Sequence, residues 1–204
     1  MRVSRIQAAE NRQAVINVAS RLFREHGFDG IGLKDLMEAA GLTQGAFYKQ
    51  FASKADLAAQ ASNRAIEGTV DRWKTAAEAN PKDPLGAVLD FYLSKGHRAE
   101  RGDGCPVVAL GADAARQGPE VKASFEAGIR QYLEMLGSWI GERDGAKIAG
   151  KPMAILSTMV GALMLSRAVN DPKLAHAVLD SAVDQVRRVV APKAPRSGQR
   201  GVRQ

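Results

Sequence analysis

Few residues of this chain can make or break bonds, and their spacing points to binding rather than catalysis. The three histidines, His26, His97 and His176, fall on separate stretches of helical pattern with no metal-ligand spacing. HExxH, CxxC and a glycine-rich loop after a strand are all missing. Carboxylate pairs such as Asp29 and Asp35 sit in a segment suited to another task. With no strand pattern to present a nucleophile on an α/β scaffold, no enzyme, metal or cofactor is expected. Two places do carry usable chemistry. In TQGAFYK, the side chains of Thr43, Gln44, Tyr48 and Lys49 can donate hydrogen bonds to phosphate oxygens or base edges. The other place is Cys105, the sole cysteine, in GDGCP at the start of a predicted helix. A helix dipole there lowers a thiol's pKa, and Lys95, His97, Arg98 and Arg101 shortly before it add positive field. A lone cysteine forms no intramolecular disulfide, which fits a reducing cytosol. A buried, inert thiol is the alternative reading.

The donors of TQGAFYK need elements to aim them. Leu33, Leu36, Met37 and Ala40 recur on one helix face. Gly41 follows, where a glycine in the left-handed conformation ends a helix. Leu42 points inward, and the Thr43 hydroxyl is placed to cap a second helix of about two turns. On that helix Phe47 and Phe51, four apart, form the buried side, so Gly45 and Lys49 point away, flanked by Ala46 and Tyr48. Gly45 inside a helix costs about 1 kcal/mol relative to alanine; close backbone approach to a phosphate would explain it. Two short helices joined by a tight turn make a helix-turn-helix, whose second member can enter a DNA major groove. The same pattern also fits an ordinary helical corner with Tyr48 and Lys49 solvated.

From Leu22 to Leu57, LFREHGFDGIGLKDLMEAAGLTQGAFYKQFASKADL resembles the N-terminal DNA-binding region of the TetR/AcrR family of bacterial transcriptional regulators. The matching pieces are LF…HGF, DLMEAAGLTQGAFYKQF and the closing SKADL, in that order. One position departs: Gly32 stands where the family usually has Ser or Thr capping the first helix of the motif, a loss of only a few tenths of a kcal/mol. The resemblance implies that Thr43, Gln44, Gly45, Tyr48 and Lys49 meet DNA, and that Lys54 touches a phosphate. It also implies an effector pocket between the central helices of the C-terminal part, for which Trp73, Phe91, Tyr92, Phe125, Tyr132, Met135, Trp139 and Met159 are the candidate lining. The GC ahead of an apolar helix is similar to a subgroup some of whose members respond to reactive electrophiles through cysteine, which makes Cys105 a candidate sensor.

The remaining chain reads as helices throughout. Val15, Ala19, Leu22, Phe23 and His26 mark a first helix ended by Gly27, after a polar lead to about Glu10 in which Arg2 and Arg5 could touch DNA. Ser53, with Asp56 three residues on, caps a long helix to about Ala79. Asp83-Pro84 opens a helix with Leu85, Val88, Leu89, Tyr92 and Leu93, expected to end near Gly102. Another follows Pro106, and a long one runs from Pro119 to about Arg143. Met153, Leu156, Met159, Val160, Leu163 and Met164 lie on the next helix, and Leu179, Val183 and Val186 lie on the last, after Asp171-Pro172. These last two helices are the expected dimer surface, since two per subunit can pair into a four-helix bundle, as the resemblance implies.

The expected fold is all-α with about nine helices. Residues 1–56 form a three-helix helix-turn-helix domain, 57–191 an effector-binding and dimerisation domain, and 192–204 a basic, disordered tail. A chain of 204 residues suits this, with 45% apolar and 25% charged residues. The net charge of +7 says little about DNA. Lys193, Arg196, Arg200 and Arg203 supply much of it, and residues 1–56 hold eight Lys or Arg against six Asp or Glu. With no apolar run of membrane-spanning length and no apolar stretch after the N-terminal arginines, a cytoplasmic protein is expected. The reading that follows is a homodimer binding a palindromic operator, most simply a repressor released by a ligand or electrophile. An activator of the same fold, or a small-molecule carrier with an idle helix-turn-helix, is the alternative.

Overall fold

The computed structural model describes residues 5–142 and 150–191. The basic tail 192–204 and Arg2 of the N-terminal lead therefore lie outside the described residues, as does Arg143. Among the described residues the fold is all-helical, with nine α-helices and one 3-10 helix.

Helix α1 (Arg5–His26) buries Val15, Ile16, Ala19 and Phe23. It starts earlier than the expected polar lead allowed, because Arg5–Glu10 is made of good helix formers and Gln7 bonds Asn11 one turn on (3.1 Å). Gly27, at φ 79°, takes the Phe23 carbonyl and ends it. Helix α2 (Leu33–Ala39) buries Leu36 and Met37 and begins at Gly32 without a side-chain cap. It closes in a Schellman motif: with Gly41 at φ 72°, Gly41 N–H reaches Glu38 O (2.9 Å) and Leu42 N–H reaches Met37 O (2.9 Å). The next element, Gln44–Lys49, is a 3-10 helix rather than two α-turns, and Thr43 precedes it with no side-chain cap. Six residues that include Gly45 give little to nucleate an α-helix, and the tighter form suffices in so short a piece.

Helix α3 (Lys54–Ala79) starts at Ser53, whose hydroxyl accepts from Asp56 N–H (3.0 Å) while the Asp56 carboxylate accepts from Ala52 N–H (3.0 Å). At 26 residues it spans about 39 Å and belongs to two cores. Leu57, Ala58 and Ala61 join Phe23, Phe28, Leu36, Met37, Phe47 and Phe51 in the first core, which Leu110, Ala114, Val121 and Phe125 complete. Ile66, Val70, Trp73 and Ala77 belong to the second core, with Leu89, Tyr92, Tyr132, Leu136, Met159 and Leu179.

The expected helix from Pro84 to near Gly102 is two. Helix α4 (Pro84–Tyr92) stops where Ser94 caps α5 (Lys95–Ala99) by accepting from His97 N–H (3.0 Å). Helices α6 (Pro106–Ala114) and α7 (Pro119–Trp139) follow. Helix α7 crosses α3 closely at Gly128, where a Cβ would stand 2.5 Å from Ile66 Cδ1. It ends at Trp139, earlier than expected, because Gly141 at φ 72° turns the chain. Helices α8 (Gly150–Ala168) and α9 (Pro172–Val190) pack against each other. No helix among the described residues is long and apolar enough to cross a membrane.

Candidate nucleic-acid interface and effector core

The 3-10 helix is anchored from beneath and open above. Phe47 is fully buried, stacks on Phe51 (5.4 Å) and meets the Tyr48 ring edge-on (5.2 Å). Arg12 of α1 holds its far end, with Nε donating to Gln50 O (3.3 Å) and the guanidinium lying over the Phe51 ring at 5.1 Å. Thr43, Gln44, Gly45, Tyr48 and Lys49 are all exposed, Tyr48 to 70%. Nothing lies within 4 Å of a Cβ built on Gly45, so packing does not require that glycine. Lys54 is placed otherwise: half-buried, its Nζ donates to Ile31 O (2.7 Å), tying α3 to the α1–α2 turn. Five of the six candidate DNA contacts are thus exposed on or beside the 3-10 helix, and Lys54 is engaged with the α1–α2 turn instead.

The candidate effector residues divide. Trp73 packs against Tyr92 (5.6 Å), Tyr132 (4.9 Å) and Trp139 (6.2 Å). Phe91 stacks on His97 (5.4 Å), Met159 is in the same core and Met135 at its edge. Phe125 is elsewhere, in the first core with Phe47 and Phe51. Among the described residues Trp73 Nε1 is buried without a hydrogen-bond partner, while the buried Tyr92 and Tyr132 hydroxyls have only imperfectly aligned partners, the Cys105 thiol and the Thr69 hydroxyl. A fully unsatisfied buried donor costs about 1–3 kcal/mol, so a group of poorly satisfied polar atoms in one aromatic cluster calls for an explanation.

Cys105 borders this cluster, 1% exposed. Its N–H donates to His97 Nε2 (3.1 Å), and His97 Nδ1 donates to Tyr92 O (2.7 Å). The expected lowering of the thiol pKa is reversed. Burial pushes it up, outweighing the Tyr92 hydroxyl and the Val107 and Val108 amides that favour the thiolate. The α5 segment in turn is strapped to α8. Arg167 donates to His97 O (2.6 Å) and Arg98 O (3.1 Å), and Arg98 donates to Ser166 O (2.8 Å).

Residues 15–61 match the model of the bacterial regulatory proteins of the tetR family, a span holding α1, α2, the 3-10 helix and the start of α3. The solved structure of a TetR transcriptional regulator from Chloroflexus aurantiacus superposes with a TM-score of 0.75 at 26% identity, over 91% of this chain and 96% of that one. The matched segment and the shared fold indicate the TetR/AcrR family. The regulator TtgR of Pseudomonas putida is 36% identical over 94 residues, 46% of this chain, and the chain spans 44% of that relative's length. The reduced form of NemR from Escherichia coli shares the fold, with a TM-score of 0.74 at 18% identity over 89% of this chain and 98% of that one.

The helices expected at a dimer surface are partly committed within the chain itself. Leu156, Leu163, Leu179 and Val186 are buried in the second core, while Val160 and Val183 are half-buried at its edge. Met153 (44%) and Met164 (50%) remain exposed, and Leu165 (54%), which the sequence reading missed, joins them with Leu174 (50%) of α9. The sequence reading also passed over Arg24, Arg64 and Arg72, which the fold brings to one cleft between α1 and α3. No local pattern joins them, because Arg24 lies far from the other two in the chain.

Proposed function

We propose that the chain is a transcriptional regulator, acting in the cytoplasm as a repressor. A homodimer binds a palindromic operator, and an effector entering the C-terminal helices releases it. The observation that carries this reading is the exposed face of Thr43, Gln44, Gly45, Tyr48 and Lys49, set on Phe47 and Phe51 within the family-matched segment. Gln44 and Lys49 present donors to a groove, the open side of Gly45 lets the backbone approach a phosphate, and the Tyr48 hydroxyl extends the row. Lys54 acts indirectly, fixing the turn that carries α2. The units 1–56 and 57–191 describe the division of labour, although α3, α6 and α7 contribute to the first core as well as to the second.

The cluster of Trp73, Tyr92 and Tyr132, with its unpaired indole N–H and two poorly satisfied hydroxyls, supports the effector site. A ligand offering acceptors to these groups satisfies them, and it shifts the dimer only by its differential affinity for the two states. Cys105 beside Tyr92 and His97 supports an electrophile-responsive mode, in which attack requires the core to open first.

Two recognition helices about 34–36 Å apart fit successive major grooves. The test is a fluorescence-anisotropy titration against the promoter DNA beside the chain's own gene, over a salt series. Specific binding that weakens steeply with salt and falls about tenfold or more in Lys49→Ala supports the proposal. Binding no tighter than to random duplex, there and in a selection from random DNA, overturns it. For the thiol mode, electrophile-driven DNA release that persists unchanged in Cys105→Ser removes Cys105 from the mechanism.

A further inference from the structure

Where α1 crosses α3 a cleft of about 270 Å³ opens, and its lining includes Ser20, Arg24, Arg64, Gly68, Arg72 and, at the rim, Asp103. At about 30 Å³ per molecule this is room for some nine waters, the size of a small ligand rather than of a peptide. Three guanidiniums face one carboxylate. The Arg24 side chain is only 8% exposed, and its nearest carboxylate, Asp103, stands 3.8 Å away and is itself mostly in solvent. Arg24 instead donates to Ser20 O (2.9 Å) and Gly104 O (2.8 Å), and its burial pulls its pKa down, the mark of a cation short of counter-charge. Arg72 donates to Asp103 O (2.6 Å) and to Glu100 Oε2 (2.5 Å), its guanidinium stacked over Phe91 at 4.7 Å. Arg64 donates to Asn17 Oδ1 (3.1 Å), with Glu67 at 3.9 Å. Glu67 and Glu100 do not line the cleft.

Gly68 is the second, independent sign. A glycine inside a helix weakens it relative to alanine, and here packing gives no reason for one, since a Cβ would meet nothing within 4 Å. What the missing side chain leaves is open space beneath three arginines.

We propose that this cleft is a second ligand site, for a small anion carrying a carboxylate or phosphate group. The group takes the place beside Arg24 that the Asp103 carboxylate occupies loosely, and it bridges to Arg64 and Arg72 through charge-assisted hydrogen bonds. Arg24 belongs to α1 and Arg72 to α3, and both also hold carbonyls of the Asp103–Gly104 loop directly before Cys105. The bound anion therefore shares its donors with the segment that starts α6.

The test needs no DNA. The full chain is titrated by calorimetry with citrate and with inorganic phosphate, at constant ionic strength set by chloride. Two variants accompany it: Arg64→Gln, which removes a charge, and Gly68→Leu, which fills the space and keeps every charge. Circular dichroism checks that both fold. Saturable binding of either probe, about tenfold weaker in Arg64→Gln and lost in Gly68→Leu, is the expected result, and the tighter probe tells carboxylate from phosphate. No saturable binding of either probe overturns the proposal, as does binding that Gly68→Leu retains. Equally decisive against it is binding of random duplex alone, abolished by the same variants, which would assign the arginines to DNA phosphates. Because the readout is DNA-independent, its failure leaves the operator reading standing, and the reverse also holds.

Discussion

His97 shows how two hydrogen bonds fix a protonation state. Its Nδ1–H must donate to the Tyr92 carbonyl and its Nε2 must accept from Cys105 N–H, so a second ring proton would point at a donor. Burial, with Arg167 and Arg72 nearby, lowers its pKa from 6.5 to about 4, against the raising effect of the Tyr92 carbonyl. The unfolded chain therefore takes up a proton that the native state refuses as pH falls between about 6.5 and 4. Stability is fully present above that window and is lost down through it, by about 3 kcal/mol in all. Urea unfolding at pH 7 and at pH 5 should show about 2 kcal/mol of this drop in the wild type, whereas His97→Phe, less stable at pH 7, should lose less between the two. Equal losses would mean that His97 is not the titrating group. Glu100, whose pKa is lowered chiefly by its hydrogen bond to Arg72, contributes its own acid sensitivity only at lower pH. The neighbouring Cys105 thiol is buried and pushed towards its neutral form, so maleimide should label it at least about tenfold more slowly in the folded chain than in urea. Comparable rates would show that this core opens freely.

Glycines at the ends of α2 and within the 3-10 helix make a controlled pair. Gly41 sits at φ 72° with nothing within 4 Å of a would-be Cβ, so Gly41→Ala should cost about 1 kcal/mol through backbone strain alone. Gly45 has the same open surroundings without the unusual φ, so Gly45→Ala should hold or raise stability while weakening operator binding. Thermal melts and anisotropy on both proteins separate the two roles; a Gly45→Ala protein that binds the operator as tightly as wild type would remove the close-approach argument. Much of this layer was legible in the sequence. Gly27 and Gly41 as stops, Ser53 as a cap, Asp83-Pro84 as a helix start, and Phe47 with Phe51 as the inner side follow from short-range chemistry that neighbours do not override. What was not legible depends on longer range. The apolar run Leu85–Leu93 gave no sign that Ser94 would cap a separate helix. Thr43 looked like a cap, but the turn after it is 3-10 and leaves its hydroxyl unused. Helix α8 is apolar nearly all round, so sequence alone could not say that Leu156 and Leu163 face inward while Leu165 faces out. The arginine cleft needs α1, α3 and the 100–104 loop to meet, and no periodicity encodes that.

Operator binding by a dimer also depends on what covers the outer side of α8 and α9. Inside the protomer α8 spends Ile155, Leu156, Met159, Ala162 and Leu163, leaving Met153, Met164 and Leu165 in solvent beside Leu174 of α9. One exposed methionine needs no explanation, but four large exposed apolar side chains on two helices that pack together make this side of the fold the candidate interface. An isologous pairing through them would cover the patch in both copies at once. The decisive variant is Met164→Glu with Leu165→Glu, because both positions are exposed and the charges cost the isolated protomer little. Sedimentation should show this protein as a monomer with its helix content and melting behaviour largely kept. Operator affinity should fall by about 10²–10⁴, since the second half-site is then no longer bound at high effective concentration. Leu163→Ala, at a fully buried position, should do the opposite: lose about 2–5 kcal/mol of stability while dimerisation follows folding. A double-glutamate protein that remains dimeric and binds its operator normally would place the subunit contact on another face, and the exposed apolar patch would then need a different partner.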